Sequence, residues 1–218
     1  MTPLHDRRFA YLHGFASGPQ ARKGGWLAER LAERGIRLHL PDLNRPSFSE
    51  LTVSGALAAV DGLVEAGPAE ALWSVVGSSF GGYVATRWAE LHPQRVERLL
   101  LLCPGFDLVD RWPEMLGEDA MERWQREGAM EFPDGAGRPT PVHWGFIEDF
   151  RRHPPSPEVP CPTRIVHGTR DEVVPVEGSR RYAAVRPHVD LVEVDDDHGL
   201  LASLETIGRE VEGFLLGE

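Results

Sequence analysis

Gly77-Ser78-Ser79-Phe80-Gly81-Gly82 follows the apolar run Leu72-Trp73-Ser74-Val75-Val76 and precedes Tyr83–Leu91, a stretch that reads as a helix. Strand, tight turn and helix form the setting in which Gly-x-Ser-x-Gly becomes a nucleophile elbow rather than a chance match. The turn forces its central residue, Ser79, into a strained conformation at the strand tip. Flanking side chains would collide with strand and helix, so glycine at 77 and 81 removes the offending Cβ atoms. The Ser79 hydroxyl would then stand beside the positive end of a helix whose first N–H groups lack partners. A glycine-rich turn with no chemistry is the competing reading, and the rest of the chain decides between them.

Working outward, short apolar runs alternate with amphipathic stretches. Arg8–His13, Ile36–Leu40, Leu72–Val76, Val96–Cys103, Pro162–His167 and Val189–Val194 read as six strands. Helices are expected over Gln20–Arg34, from a Ser47/Glu50 capping box through Leu51–Val64, and in a closing segment with Leu200, Leu204, Ile207, Val211, Phe214 and Leu215 on one face. Strands apolar throughout, separated by helices, indicate a parallel sheet covered on both faces: an α/β fold with right-handed crossovers.

One segment, about 106–160, breaks the alternation. It is too long for a plain connection and carries Trp112, Trp124, Trp144, Phe132, Phe146, Met115, Met121 and Met130. Met115–Arg126 reads as a helix and Pro154-Pro155-Ser156-Pro157 as a stiff return. The insertion is expected to form an apolar cap over the site; a flap packed on the sheet edge is the alternative.

Composition sets outer bounds. The chain has 218 residues, enough for a single domain with a sizeable core, with 41% hydrophobic and 26% charged residues. A net charge of -11, from 34 acidic and 23 basic residues, argues against a nucleic-acid partner. No run approaches the ~20 apolar residues that span a bilayer. The polar start Met1–Arg8 does not look like a signal peptide. Cys103 and Cys161 make neither a disulfide framework nor a zinc motif, and a reduced cytoplasmic protein is expected.

Two further residues share the elbow's logic. Asp171, in His167-Gly168-Thr169-Arg170-Asp171, follows the fifth strand, and His198, in Asp195-Asp196-Asp197-His198-Gly199, follows the sixth. In parallel α/β sheets ligands bind beyond the carboxyl ends of the strands, so Ser79, Asp171 and His198 fall on one rim. Asp107 and Asp110, after the fourth strand, are rivals to Asp171. Asp195, Asp196 and Asp197 lie too near His198 in the chain to reach its ring and read as solvated or loop-bonding acids. His13 and His167, each before a glycine, read as loop-ordering residues, and Cys103 as core.

With the order Ser…Asp…His, the sequence resembles an α/β-hydrolase over nearly its whole length, lacking only the antiparallel strands that open that fold. Tyr-Leu-His-Gly-Phe-Ala-Ser at 11–17, Pro-Asp-Leu-Asn-Arg-Pro-Ser at 41–47 and Gly-Ser-Ser-Phe-Gly-Gly-Tyr at 77–83 resemble the small YqiA-like (UPF0227-type) esterases. The resemblance implies a single domain, 1–218, with a mostly parallel six-stranded sheet. It implies a cofactor-independent serine hydrolase of small-molecule carboxylic esters or thioesters, with Ser79 as nucleophile, His198 as base and Asp171 as its partner. The backbone N–H groups of Phe15 and Phe80 would form the oxyanion hole. The aromatic insertion suggests an apolar acyl group. An acyltransferase, a C–C bond hydrolase and a silent binding module on the same fold remain alternatives.

Overall fold

The computed structural model describes residues 7–217. The polar residues 1–6 lie outside it, and with them most of the Met1–Arg8 reading. Six strands, β1 (Arg7–Leu12), β2 (Leu38–His39), β3 (Leu72–Ser78), β4 (Val96–Leu102), β7 (Thr163–Gly168) and β8 (Val189–Val194), form one sheet in the order β2-β1-β3-β4-β7-β8. Every neighbouring pair is parallel. The helices that connect them are α1 (Arg22–Ala32), α2 (Val53–Glu65), α3 (Phe80–Leu91) and α7 (Val176–Ala184), and after β8 comes α8 (Leu204–Glu210). The last passes into a π-helical turn, Val211–Leu216, within the expected closing helix.

Why the strands are apolar at consecutive positions is plain from their surroundings. Ala10, Leu12, Trp73, Val75, Leu99, Leu101 and Ile165 face a core built with α2, α3 and α7. Their neighbours Phe9, Tyr11, Val76, Leu100, Leu102 and Val166 face a second core built with α1 and α8. Side chains alternate across a strand, so a sheet covered on both faces needs apolar residues at odd and even positions alike. From β1 the chain moves one way to β2, then returns to place β3 on the other side of β1. The crevice at such a reversal, past the strand ends, is where open α/β sheets bind ligands. Here it lies between the loop after β1 and the elbow after β3.

Between β4 and β7 the insertion contains α4 (Leu108–Leu116), α5 (Glu118–Glu127), the antiparallel pair β5 (Ala129–Pro133) and β6 (Pro139–His143), and α6 (Gly145–Phe150). The single helix expected over Met115–Arg126 is broken at Gly117, whose φ of 85° suits glycine. Trp124 is fully buried and donates its indole N–H to Val142 O at 2.8 Å, tying α5 to β6. The proline-rich return is fixed by two phenols, Tyr83 donating to Pro154 O at 2.8 Å and Tyr182 to Pro157 O at 2.6 Å.

The start of α2 differs from the expected capping box. Ser47 precedes only a 3-10 turn, Phe48–Glu50, and makes no side-chain cap bond. The helix begins at Val53, where Thr52 Oγ1 accepts from Gly55 N at 2.9 Å. Leu51 and Val53, both buried, fix where the chain turns into the core, and the hydroxyl of Thr52 between them becomes the cap. Thr52→Ala is therefore expected to cost about 1 kcal/mol in urea unfolding. Ser47→Ala should stay within about 0.5 kcal/mol of wild type.

Candidate active site

The elbow is built by close packing. Ser79 sits at φ 54°, ψ -118°, between the last residue of β3 and the first of α3. A Cβ on Gly77 would come 2.5 Å from Gly81 O, and one on Gly81 would come 2.2 Å from Leu12 O and 2.5 Å from His13 O. No side chain larger than hydrogen fits at either place. Ser79 O accepts from Gly82 N, Tyr83 N and Gly105 N at 2.9, 3.1 and 3.0 Å, and Ser79 N donates to Leu102 O at 2.9 Å. Backbone bonds from α3 and from the loop after β4 thus hold a serine in a conformation that a free chain would leave.

The rim residues meet around this hydroxyl. His198 Nε2 lies 2.9 Å from Ser79 Oγ, and His198 Nδ1 lies 2.6 Å from Asp171 Oδ2. A carboxylate can only accept from Nδ1–H, so the ring's other nitrogen turns its lone pair to the serine. The Asp171 side chain is fully buried. Its Oδ1 accepts from Val173 N and Val174 N at 2.9 and 2.8 Å. Burial acts to raise the pKa of this carboxyl, but bonds from His167, His198 and the Val174 N–H outweigh it and hold it well below the usual carboxylate range.

The other candidates lie apart. Asp107 is half-exposed, accepts from Ser156 Oγ at 3.1 Å and has Arg181 3.8 Å away. Asp110 is exposed on α4. Asp196 and Asp197 serve their own loop: Asp196 Oδ1 accepts from Asp197 N at 2.8 Å, and Asp197 Oδ1 from Gly199 N at 2.7 Å. Asp195 pairs with Arg170 at 2.9 Å. His13 is buried and accepts from Leu43 N at 3.0 Å while its Nδ1 donates to Gly14 O at 2.9 Å, joining the loops after β1 and β2. Gly14 passes directly against Ser79, since a Cβ there would lie 3.4 Å from Ser79 Cβ and 3.9 Å from Ser79 Oγ. That contact brings the Phe15 loop to the hydroxyl, opposite Phe80 in the first turn of α3.

Two residues bear more directly on the site than loop order or core packing required. His167 Nε2 donates to Val174 O at 2.7 Å and lies 3.3 Å from Asp171 Oδ2, while its Nδ1 is 2.8 Å from Ser179 Oγ. The Cys103 thiol lies beside Asp171 as well, its Sγ within 4.8 Å of the carboxylate. Nothing in the residues around 103 or 167 announces this; only the adjacency of β4 and β7 brings them under Asp171. Cys103, His167 and Asp171 offer ligand atoms within 4.8 Å of one another. The set does not suit a metal. Burial pushes the thiol strongly toward its protonated form, His167 Nε2 is engaged as a donor to Val174 O, and the carboxylate accepts from three N–H groups.

Above the crevice, the Phe15 ring lies 5.1 Å from Phe48 and 5.3 Å from each of Trp112, Phe132 and Phe146, centroid to centroid. Three of those four rings belong to the insertion, so its aromatic residues pack onto the loop beside Ser79.

A parallel sheet of this order, with its elbow and crevice at the carboxyl ends, defines the class: the fold is that of the α/β-hydrolases. The chain belongs to the family described as Uncharacterised protein family UPF0227, whose sequence pattern matches residues 8–212, and it is of the YqiA-like type. Among curated proteins it is 31% identical over 136 residues to the mitochondrial palmitoyl-protein thioesterase ABHD10 of Mus musculus, covering 54% of this chain and 42% of that protein. It is 30% identical over 132 residues to the pimeloyl-acyl-carrier-protein methyl ester esterase of Serratia marcescens, covering 58% and 48%. The chain thus matches about half the length of these relatives. The solved structure of alpha/beta hydrolase domain-containing protein 10 from mouse superposes with a TM-score of 0.77 at 23% identity, over 95% of this chain and 88% of that one.

The low pKa of Asp171 has a measurable consequence. A carboxyl whose folded-state pKa lies below its unfolded value, about 3.9, adds stability that is complete above that pH and is lost as pH falls toward the folded value. Asp171→Asn is expected to destabilise the protein by about 1–3 kcal/mol at pH 7. Urea unfolding followed from pH 7 down to pH 3 should show the gap between the two proteins narrowing only below about pH 4.

Proposed function

We propose that this protein is a serine hydrolase of carboxylic esters or thioesters, acting through an acyl-Ser79 intermediate. The observation that carries the reading is the hydrogen-bonded chain from Ser79 Oγ through His198 to Asp171 Oδ2. A serine hydroxyl is nearly inert at neutral pH without an adjacent base. In this reading His198 Nε2 takes the hydroxyl proton as Ser79 Oγ bonds to the acyl carbon, and then gives that proton to the departing alcohol or thiol. Water, deprotonated in turn by His198, releases the acid and restores the serine. Asp171 fixes the ring's tautomer and stabilises the imidazolium.

Negative charge gathers on the former carbonyl oxygen during each attack. The N–H groups of Phe80 and Phe15 are the proposed donors, and such a donor is typically worth about 3 kcal/mol of barrier. Support for this comes from the position of Phe80 in the first turn of α3 and from the packing of Gly14 on Ser79.

The 106–160 insertion is read as a cap within a single domain, and its rings around Phe15 as the wall of an apolar acyl pocket. The curated relatives act, by their names, on a palmitoyl-protein and on a pimeloyl-acyl-carrier-protein methyl ester, and both names describe acyl groups with a methylene chain. A small-molecule ester or thioester, with no cofactor, is the proposed substrate. Two free, buried cysteines accord with the cytoplasmic location expected from the sequence. Among the described residues no helix is long and apolar enough to cross a membrane.

A panel of p-nitrophenyl esters and acyl thioesters tests the proposal. Ser79→Ala and His198→Ala should lower kcat by about 10⁵-fold or more, and Asp171→Asn by about 10⁴-fold. Rates should rise from acetyl to longer acyl chains and fall on acidification, as the imidazole takes up the proton it must remove. Hydrolysis unaffected by loss of the serine hydroxyl would overturn the proposal, while a flat chain-length trend would remove only the apolar pocket.

A further inference from the structure

Lys23 is the second residue of α1, where a cation opposes the positive end of the helix dipole. Its Nζ donates to Gly199 O at 2.8 Å, the carbonyl immediately after His198, across 176 positions of sequence. The charges of Asp171 after β7 and of Asp196 and Asp197 after β8 act on this ammonium and oppose the lowering of its pKa by burial. A flexible, entropically costly side chain is thus drawn inward at the helix end least suited to its charge. The bond to Gly199 O and the attraction of these carboxylates favour that placement.

We propose that Lys23 is a positioning residue for His198. The ammonium holds the Gly199 carbonyl and so sets where the imidazole stands between Ser79 and Asp171, while its positive charge disfavours protonation of that ring. The inference rests on the reading of Ser79, His198 and Asp171 as the reacting set. It adds a contribution from α1, an element that supplies none of those three residues.

The neighbouring bonds on the same loop fit this role. Gly199 N is held by Asp197 Oδ1 at 2.7 Å, and Gly199 O by Lys23, so both backbone groups of this peptide-flanking glycine are engaged. The charged and titratable groups facing His198 and its loop are Asp171, His167 and Arg170 from the β7 side, Asp195, Asp196 and Asp197 from its own loop, and Lys23 from α1. Lys23 and Arg170 are the basic groups of this set; burial lowers the pKa of Lys23 from the ordinary lysine value, and the charges of Asp171, Asp196 and Asp197 act in the opposite direction.

Lys23→Met keeps the stem and removes both donor and charge; Lys23→Arg keeps the charge. With a p-nitrophenyl ester, Lys23→Met should lower plateau kcat by about tenfold with KM within about twofold. The acid limb of its kcat/KM profile should move to higher pH by about half a unit, because a cation that opposed protonation of the base is gone. Lys23→Arg should return that limb to the wild-type pH. Thermal unfolding of each variant separates a folding defect from this effect, since lost folded protein scales the whole profile without moving its limb. A Lys23→Met limb at the wild-type pH, or a change confined to KM, overturns the proposal for Lys23 while leaving the hydrolase reading intact. Wild-type protein inert toward both esters and a fluorophosphonate overturns the hydrolase reading and this inference with it.

Discussion

The structure depends on how closely the first turn of α3 approaches the end of β1. With a Cβ at Gly81 only 2.2 Å from Leu12 O, there is no space between these backbones beyond a hydrogen atom. The same contact, with that of Gly77 on Gly81, sets the angle at which β3 turns into α3 and so the φ of 54° at Ser79. Strain at one serine is held by a sheet: Leu12 pairs with Gly77 in β3, and Gly77 with Leu101 in β4. Core packing on both faces of those strands keeps the elbow from relaxing.

Strain is not confined to Ser79. Among the described residues, the non-glycine residues with positive φ are Ala16, Ser79, Cys103, Asp107 and Leu200. All five follow strand carboxyl ends, after β1, β3, β4 and β8. A parallel sheet sends its chain abruptly away from the same edge at every strand, and here those turns converge on the crevice formed by the reversal at β1. The buried cluster beneath supplies the opposing rigidity. Asp171 is held by two backbone N–H groups and by His198 Nδ1–H, with His167 Nε2 3.3 Å away, so the acid cannot turn away from His198 without leaving donors unpaired.

Much of this was legible in the residues. Six apolar runs gave the six strands because a doubly covered sheet demands apolar side chains at consecutive positions, a pattern that few other structures require. Ser79, Asp171 and His198 could be placed on one rim because each directly follows such a run. The two-helix break at Gly117, the β5–β6 pair and the cap at Thr52 were not legible. Short strands with prolines, such as Pro139–His143, carry little periodicity, and Ser47 and Thr52 are equally good caps until burial of Leu51 and Val53 chooses between them. The contacts of Cys103 and His167 with Asp171 were hidden for a different reason: they depend on β4 and β7 lying side by side across the whole insertion.

Taken together, the elbow, the buried acid and the imidazole between them make the reactivity of one hydroxyl the central claim. Mass spectrometry of the intact and digested protein after treatment with a fluorophosphonate measures that reactivity directly. One adduct per chain is expected, on the peptide containing Ser79, with slow or absent labelling of His198→Ala. An adduct on another residue, or equal labelling of wild type and Ser79→Ala, would contradict it.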